Sequence, residues 1–464
     1  MTDLAWLTIS EASVLLRDKK LSPVEYTRAL ITRVERHDPQ LNAFLRFTPE
    51  IALKDAREAE AQIMRGEYRG PLHGVPYGLK DIVDYAGLPT TAHSKILRDN
   101  IAASDAAVAH KLRAAGGVFM GKLSTHEFAI GGPSFDLPWP PARNPWNRDH
   151  FCGGSSSGSG AATAAGLLPG AIGTDTGGSV RNPASMCGVV GIKPTYGRVS
   201  RRGVVPLSYS LDHVGLLTRT VLDNALMLNI IAGHDAQDPA SADRAATDFT
   251  QGITQGVKGL RIGVLRHFYM RDMQAEPETA AGIEAAAKQF ELLGASVREV
   301  STTPLHEFLA CNRIILTSEA YAMHETWMRE RPQDYGALAR ERLMAGAFVR
   351  ASDYVNALRM RRKITAAFHT LFNDVDVVIT TSSMDPACRI DDPQAVEYTY
   401  KRQSRAPFNV TGSPALAIPA GFSGMGLPQG MQLVGKPWSE ALLYRAAHAY
   451  EQVTPWHNRH PALP

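Results

Sequence analysis

The amino-acid sequence predicts an α/β protein, and three observations lead to that prediction. Apolar residues recur at helical spacing through the first 68 residues. A helix predicted at 105–115 is followed directly by the short apolar run 118–123, which predicts a strand. Near the end of the chain, strands predicted at 415–421 and 430–435 are followed by a helix at 438–453. Helices that alternate with short strands are typical of a sheet covered by helices.

The chain divides by composition into four consecutive parts. These are N-terminal helices at 1–68, a catalytic core at 69–235, a helical region at 240–380, and C-terminal strands with a helix at 405–464. The predicted N-terminal helices are 8–18, 22–37 and 49–65. In the core, residues 72–83 are apolar but broken by Gly and Pro, which predicts a strand and a turn. The helical region is rich in Ala, Glu and Arg, with amphipathic helices predicted at 276–293 and 337–372.

The overall composition excludes several classes of protein. The chain has 464 residues, of which 44% are hydrophobic and 20% are charged, so disorder and coiled coil are excluded. The 49 basic and 46 acidic residues leave a net charge of +3, which gives no broad electrostatic surface for nucleic acid. Four cysteines without CxxC spacing are too few for a disulfide scaffold.

The sequence also bears on location. No apolar run approaches the 18 or so residues that a transmembrane helix needs. The N-terminus has neither the basic nor the apolar stretch of a signal peptide. We therefore expect a cytoplasmic protein with reduced thiols and no membrane association.

The middle of the chain has an unusual excess of glycine. Residues 130–215 contain 16 glycines, whereas the chain average of 39 in 464 would give about seven. Charged residues in 151–200 are few: Asp175, Arg181, Lys193 and Arg198. Glycine costs conformational entropy on folding, so the excess needs a cause. Tight turns with close packing and a backbone that approaches a ligand both remain open on composition alone.

Three familiar motifs are matched only in part. Residues 116–123 resemble a phosphate-binding loop, but Leu123 replaces the hydroxyl that would bind Mg²⁺. Residues 324–328 begin like the zinc motif HExxH but end in Met328. Residues 154–158 fit GxSxG, but a polar turn sequence precedes them where the nucleophile elbow requires a buried strand. We therefore predict neither a cofactor nor a metal site.

Three other segments are far more specific in combination. They are GVPYGLKD at 74–81, GGSSSGSGAA at 153–162 and GTDTGGSVR at 173–181. On these segments the chain resembles the amidase signature family from about residue 8 to its end. The resemblance implies a single domain over 1–464, with a mixed β-sheet core covered by helices on both faces.

The resemblance also implies the roles of individual residues. Lys80 matches the catalytic lysine of the family and Ser179 matches its serine nucleophile. Ser155 matches the serine that bridges the two, which in the family follows a cis peptide bond. The serine segment reads GGSSSGSG instead of the commoner GGSSGGS, but both key positions are kept.

Further positions are implied for oxyanion and substrate binding. The backbone amides of Thr176, Gly177, Gly178 and Ser179 match the oxyanion hole of the family. Ala129, located by ungapped counting, falls in the segment that contacts substrate in the family.

Elementary chemistry supports the same assignment. A serine hydroxyl is a poor nucleophile at neutral pH and needs a base within hydrogen-bond reach. Lysine can be that base only when burial lowers its pKa and leaves it neutral. The apolar residues around Lys80 and the nearly uncharged stretch 151–200 would provide that burial. Ser155 can then relay a proton between Ser179 and Lys80.

Several alternatives remain for these residues. Lys122 and Lys193 are rival lysines that only the motif separates from Lys80. Ser155 could instead cap a helix that begins near residue 158. His73 or His126 could serve as the base of a Ser–His pair.

Two other groups near the serine segments have simpler explanations. Asp175 and Arg181 flank Ser179, and we expect them to form a structural pair that holds the loop. Cys187 lies in an apolar stretch, where an inert buried thiol is expected.

The predicted activity is hydrolysis of a carboxylic amide C–N bond in a small molecule, in a family that also includes enzymes for esters and carbamates. The alternative is the glutaminase subunit of a tRNA-dependent amidotransferase, which would supply ammonia to a partner protein. An inactive interaction protein is disfavoured because all three catalytic positions are filled. We expect a stand-alone monomer or homodimer. The Pro- and aromatic-rich stretch 135–141 is expected to shape substrate entry and to favour a bulky, partly aromatic substrate.

Overall fold

Eleven strands form one mixed sheet in the computed structural model, which describes residues 4–245 and 247–463. The sheet strands and a separate two-stranded hairpin (β4–β5) are β1 Phe44–Phe47, β2 Pro76–Lys80, β3 Val118–Leu123, β4 Arg143–Asn144, β5 Asn147–Phe151, β6 Gly170–Asp175, β7 Val190–Lys193, β8 His213–Thr218, β9 Arg261–Val264, β10 Ser296–Glu299, β11 Val377–Thr381, β12 Ala415–Phe422 and β13 Pro428–Gly435. The order in the sheet is β1-β3-β2-β6-β8-β7-β12-β13-β11-β9-β10.

Helices pack against this sheet and enclose a continuous apolar core. They are α1 Ile9–Arg17, α2 Pro23–Leu41, α3 Pro49–Met64, α4 Ala107–Ala114, α5 Ser157–Ala164, α6 Arg181–Cys187, α7 Val221–Ile231, α8 Pro277–Leu292, α9 Leu305–Glu330, α10 Ala337–Met344, α11 Ala351–His369, α12 Pro393–Lys401, α13 Pro407–Val410 and α14 Glu440–Glu451. The predicted α/β class and mixed sheet are confirmed. None of the described helices is long and apolar enough to cross a membrane.

Parallel and antiparallel strand pairs are combined around the strand that ends in Lys80. Strand β2 pairs parallel with both β3 and β6, so the carboxyl ends of these strands lie at one edge of the sheet. All five residues of β2 are buried, as expected for an interior strand of a sheet with both faces covered. The loops that follow β2 and β6 therefore meet at this edge.

Most predicted helices and strands are found within one to four residues of their expected ends, but two segments need correction. The helix expected at 337–372 is broken into α10, a short 3₁₀ turn at Ala345–Phe348, and α11. The cause is Gly346, where a Cβ would clash with the carbonyl oxygen of Thr317 on α9. The polar turn expected before the serine segment is the hairpin β4–β5.

The region 240–380 also contributes three strands that the sequence did not reveal. Strands β9, β10 and β11 extend the sheet at one end. Strands β9 and β10 have four residues each, and β10 is the largely exposed edge strand. Such short segments show too little alternation to be distinguished from the helices around them.

A buried ion pair fixes the chain immediately after β2. Lys122 Nζ on β3 lies 2.9 Å from Asp81 Oδ1, and both side chains are fully buried. The other carboxylate oxygen of Asp81 accepts hydrogen bonds from the backbone N–H and hydroxyl of Thr91. Because Asp81 follows Lys80 directly, this pair holds the end of β2 in place.

We predict that Lys122→Met destabilises the protein strongly. Removing one partner of a buried ion pair leaves the other charge uncompensated, which costs roughly 3–5 kcal/mol. The expected result is a clear fall in the midpoint of urea unfolding, measured by circular dichroism. A midpoint equal to that of the wild type would show that the pair does not hold this part of the fold.

Candidate active site

Lys80 is the last residue of β2 and its side chain is completely buried. Its ammonium nitrogen donates hydrogen bonds to Ser155 Oγ at 2.7 Å and to Thr174 Oγ1 at 2.9 Å. Both partners are uncharged hydroxyls. Thr174 lies on β6, the strand that pairs with β2, so the sheet itself brings this contact together.

Burial gives Lys80 the acid–base property that the proposed role requires. Burial lowers the pKa of Lys80 to about 7, although the nearby carboxylates of Asp175 and Asp212 act in the opposite direction. A lysine amine with this pKa is partly neutral at physiological pH, so it can accept a proton.

The two rival lysines are also buried, but their surroundings differ. Lys122 forms the ion pair with Asp81 described above. Lys193 donates to the carbonyl oxygen of Pro194 at 3.0 Å, and burial lowers its pKa well below the usual value. Of the three, Lys80 is the one whose amine donates to a serine of the predicted site.

Ser155 lies in a tightly held loop before α5. The Gly154–Ser155 peptide bond is cis, as the family resemblance implied. The amide of Gly154 donates to Asn182 Oδ1 at 2.9 Å, and the amide of His126 donates to the carbonyl oxygen of Ser155 at 3.0 Å. A Cβ at residue 154 would clash with the ring of His126, so only glycine fits there.

The capping alternative for Ser155 is not supported by this geometry. Helix α5 begins at Ser157, and no side chain caps its N-terminus. The hydroxyl of Ser155 instead accepts the hydrogen bond from Lys80.

Ser179 lies in the loop between β6 and α6 and is 4% exposed. Its carbonyl oxygen accepts a hydrogen bond of 3.1 Å from the amide of Ser156, which ties the two serine loops together. The structure therefore brings Lys80, Ser155 and the loop of Ser179 to one place, although they are far apart in the sequence.

A buried ion pair shapes the loop that contains Ser179, as predicted. Arg181 Nη2 lies 2.8 Å from Asp175 Oδ1, and both side chains are fully buried. The same carboxylate accepts hydrogen bonds from the amides of Gly178 and Val180. Burial alone would raise the pKa of Asp175, but Arg181 outweighs it and holds that pKa well below its usual range.

These contacts modify the predicted oxyanion hole. The amide of Gly178 donates to Asp175 Oδ1 at 2.9 Å, so it points into the loop and not toward a substrate. Thr176 is held by a 2.7 Å bond from its hydroxyl to Asp212 and by Asn312, which donates to its carbonyl oxygen. The set of four predicted amides is thereby reduced to those of Thr176, Gly177 and Ser179.

A cavity of about 680 Å³ lies next to this site. Its lining includes Ala129, Thr174 and Thr176, so Ala129 lies in the expected neighbourhood. Phe135 and Trp139 are not among the lining residues, and Phe135 is 57% exposed. The expectation that the stretch 135–141 selects an aromatic substrate therefore loses its basis.

The histidine and cysteine alternatives fare differently. Both ring nitrogens of His73 are engaged, with Gln62 and with the amide of Arg69, and burial lowers its pKa to about 4. His126 packs against the Gly154–Ser155 peptide, and burial lowers its pKa well below the usual value, which disfavours it as a base. The Cys187 thiol is buried and burial raises its pKa, as expected for an inert thiol.

Some residues of the site were not singled out from the sequence. Thr174, Asn182 and Asp212 contact the catalytic segments, and Arg405 packs against Gly178. Thr174 and Asn182 lie within or beside the GTDTGGSVR segment, which could have suggested them. Arg405 is more than 200 residues away, and the sequence holds no signal for its contact.

Comparison with known proteins identifies the family. The amidase family model matches residues 25–444. The chain is 40% identical to a glutamyl-tRNA(Gln) amidotransferase subunit of Chloroflexus aggregans, covering all of this chain and 99% of that protein. It is 41% identical to the corresponding protein of Moorella thermoacetica, which has the same name, covering 99% of each.

Solved structures agree. The chain resembles a protein from a vestigial complex related to an s-triazine catabolic enzyme, at a TM-score of 0.91 and 34% identity, over 96% of this chain and 98% of that one. The values for a bacterial aryl acylamidase are 0.90 and 27%, over 98% of each chain. Those for the glutamyl-tRNA(Gln) amidotransferase subunit from Thermotoga maritima are 0.82 and 33%, over 100% of this chain and 98% of that one. The chain therefore belongs to the amidase signature family and is an amidohydrolase.

Proposed function

We propose that this amidohydrolase cleaves a carboxamide through an acyl-enzyme on Ser179, with Lys80 as the base and Ser155 as the proton relay. The observation that supports this most directly is the 2.7 Å contact between Lys80 Nζ and Ser155 Oγ, made by a lysine whose pKa burial lowers to about 7. The tie between the two serine loops keeps Ser179 beside this pair.

The steps follow from these positions. Neutral Lys80 takes the proton of Ser155 while Ser155 takes that of Ser179, and Ser179 Oγ attacks the carbonyl carbon. The negative oxygen that forms is stabilised by the amides of Thr176, Gly177 and Ser179. The proton returns through Ser155 to the leaving nitrogen as the C–N bond breaks. Water then attacks the acyl-enzyme by the same relay and releases the acid.

The substrate that the full-length relatives favour is glutamine. Relatives at about 40% identity over the entire chain are amidotransferase subunits, which supports the alternative function over a stand-alone hydrolase. In that role the chain would release ammonia from glutamine for an acceptor held by a partner protein and tRNA. A cytoplasmic location would fit this role.

A stand-alone amide hydrolase is the second candidate. The structural likeness to an aryl acylamidase, at a TM-score of 0.90, exceeds the likeness to the Thermotoga protein, at 0.82. The cavity also offers little free charge for an amino acid, because Asp212 is satisfied by Thr176 and two backbone amides. Esters and carbamates have no support from the relatives, so both candidates are confined to amides.

We predict that Ser179→Ala abolishes turnover because it removes the attacking oxygen. The expected rate lies at least 10³-fold below that of the wild type for any amide the wild type hydrolyses, with an unchanged melting temperature. Ammonia release and thermal unfolding would be measured on the same sample. Turnover at the wild-type rate would contradict the assignment of the nucleophile.

We predict that kcat/KM rises with pH and levels off above an apparent pKa of about 7, because only neutral Lys80 accepts the proton. Lys80→Met should lose several orders of magnitude in rate. It should also leave stability near pH 7 unchanged or higher, because a buried amine without a carboxylate partner is removed.

Lys122→Met is the matched control for this prediction, since it should lose stability instead. A wild-type rate in Lys80→Met, combined with a large loss in His126→Ala, would favour the Ser–His alternative.

The two substrate classes predict different results for the purified chain. A glutaminase subunit should prefer glutamine and gain activity when the partner proteins and tRNA are added. A stand-alone hydrolase should cleave aryl or aliphatic amides alone and ignore glutamine. Ammonia and aniline release from glutamine, anilides and primary amides would be measured, with and without EDTA. We expect no effect of EDTA in either case.

A further inference from the structure

Arg405 is a buried arginine directly beside the loop of the nucleophile. It lies between α12 and α13, and the residue is only 1% exposed. A Cβ on Gly178 would lie 2.5 Å from Arg405 Nε and 2.6 Å from its Cδ. The absence of a side chain at residue 178, which precedes Ser179, is therefore what allows the guanidinium to approach.

The polar partners of Arg405 carry no charge. Its Nη1 donates to the carbonyl oxygen of Ser382 at 2.9 Å and to the hydroxyl of Ser383 at 2.5 Å. Its Nε has no hydrogen-bond partner in the part of the chain that the structure describes. Asp175 is close enough to influence it, but that carboxylate is paired with Arg181.

This arrangement is costly for a resting protein. A buried cation normally has a paired carboxylate, because removal from water penalises the charge. Burial lowers the pKa of Arg405 only to about 9, so the guanidinium keeps its charge at neutral pH. The loop of Ser179 thus holds one positive charge that no carboxylate balances.

Amide hydrolysis creates one negative charge at the same place. When Ser179 attacks, the carbonyl oxygen becomes an oxyanion beside the backbone of residues 176–179. In a buried site a fixed charge acts over several ångströms with little screening, and it needs no reorganisation during the reaction. The free charge of the resting state is therefore balanced when the oxyanion forms.

We propose that Arg405 supplies the positive charge that balances the tetrahedral oxyanion, acting through Gly178 from behind the loop without touching the substrate. The inference rests on the proposed attack by Ser179. Arg405 is in this sense a positioning residue for charge, whereas the amides of the loop make the direct contacts. A purely structural role, in which Arg405 only holds Ser382 and Ser383, is the competing explanation.

The test separates charged from neutral ligands. Phenylboronic acid becomes a tetrahedral anion when it binds a serine oxygen, whereas benzamide stays neutral. We would measure kcat on a neutral amide, inhibition by phenylboronic acid, and the Kd of benzamide in a Ser179→Ala background. The variants are Arg405→Gln, Arg405→Met and Arg405→Lys. The two neutral variants remove the charge with different packing, so one serves if the other does not fold.

The control is Arg402→Gln. Arg402 lies three residues away and has its own carboxylate partner, with Nε donating to Asp385 Oδ2 at 2.7 Å. It should leave all three measurements unchanged.

We expect the neutral variants to lose about 10- to 100-fold in kcat and a similar factor in phenylboronic acid affinity. The Kd of benzamide should change by less than about twofold, and Arg405→Lys should retain most of the activity. Equal weakening of both ligands, or an unchanged kcat, would overturn the inference. Loss confined to substrates with a carboxylate would also overturn it. If the wild type neither hydrolyses amides nor binds phenylboronic acid, the proposed function itself fails.

Discussion

The structure depends on a lysine that is buried without a carboxylate partner. Lys80 reaches only the hydroxyls of Ser155 and Thr174, so its charged form is disfavoured and its pKa falls to about 7. The surrounding contacts keep it there. The ion pair of Asp81 and Lys122 fixes the end of β2, and the parallel pairing of β2 with β6 brings Thr174 alongside. A looser end to β2 would let water reach the amine and restore its charge.

The buried cations of this core are accommodated in three different ways. Lys122 and Arg181 form ion pairs with buried aspartates and serve to hold backbone in place. Burial disfavours the charge on Lys80 and Lys193 and lowers the pKa of both. Arg405 keeps its charge and has uncharged partners. Ordinary packing explains the first group, whereas an uncharged amine beside a serine and an unbalanced cation beside the loop of Ser179 are arrangements suited to chemistry.

The sequence predicted local features and left out those that depend on distant contacts. Helical spacing and capping residues located most helices, and the three glycine-rich segments identified Lys80, Ser155 and Ser179 because each lies within a specific motif. Strands β9–β11 escaped because they are short and lie among helices. The break at Gly346 comes from contact with α9, and the contact of Arg405 with Gly178 joins segments more than 200 residues apart. Neither leaves a pattern in the local sequence.

The central claim is that Lys80 is a neutral base in the folded protein, and its titration tests this directly. Protein labelled with ¹³C at the lysine Cε would be titrated by NMR, with Lys80→Met used to assign the signal. The account predicts one lysine with a midpoint near pH 7 that is missing from the variant. A Lys80 midpoint close to the ordinary lysine value of about 10.4 would contradict it, because the amine would then be protonated and unable to act as the base.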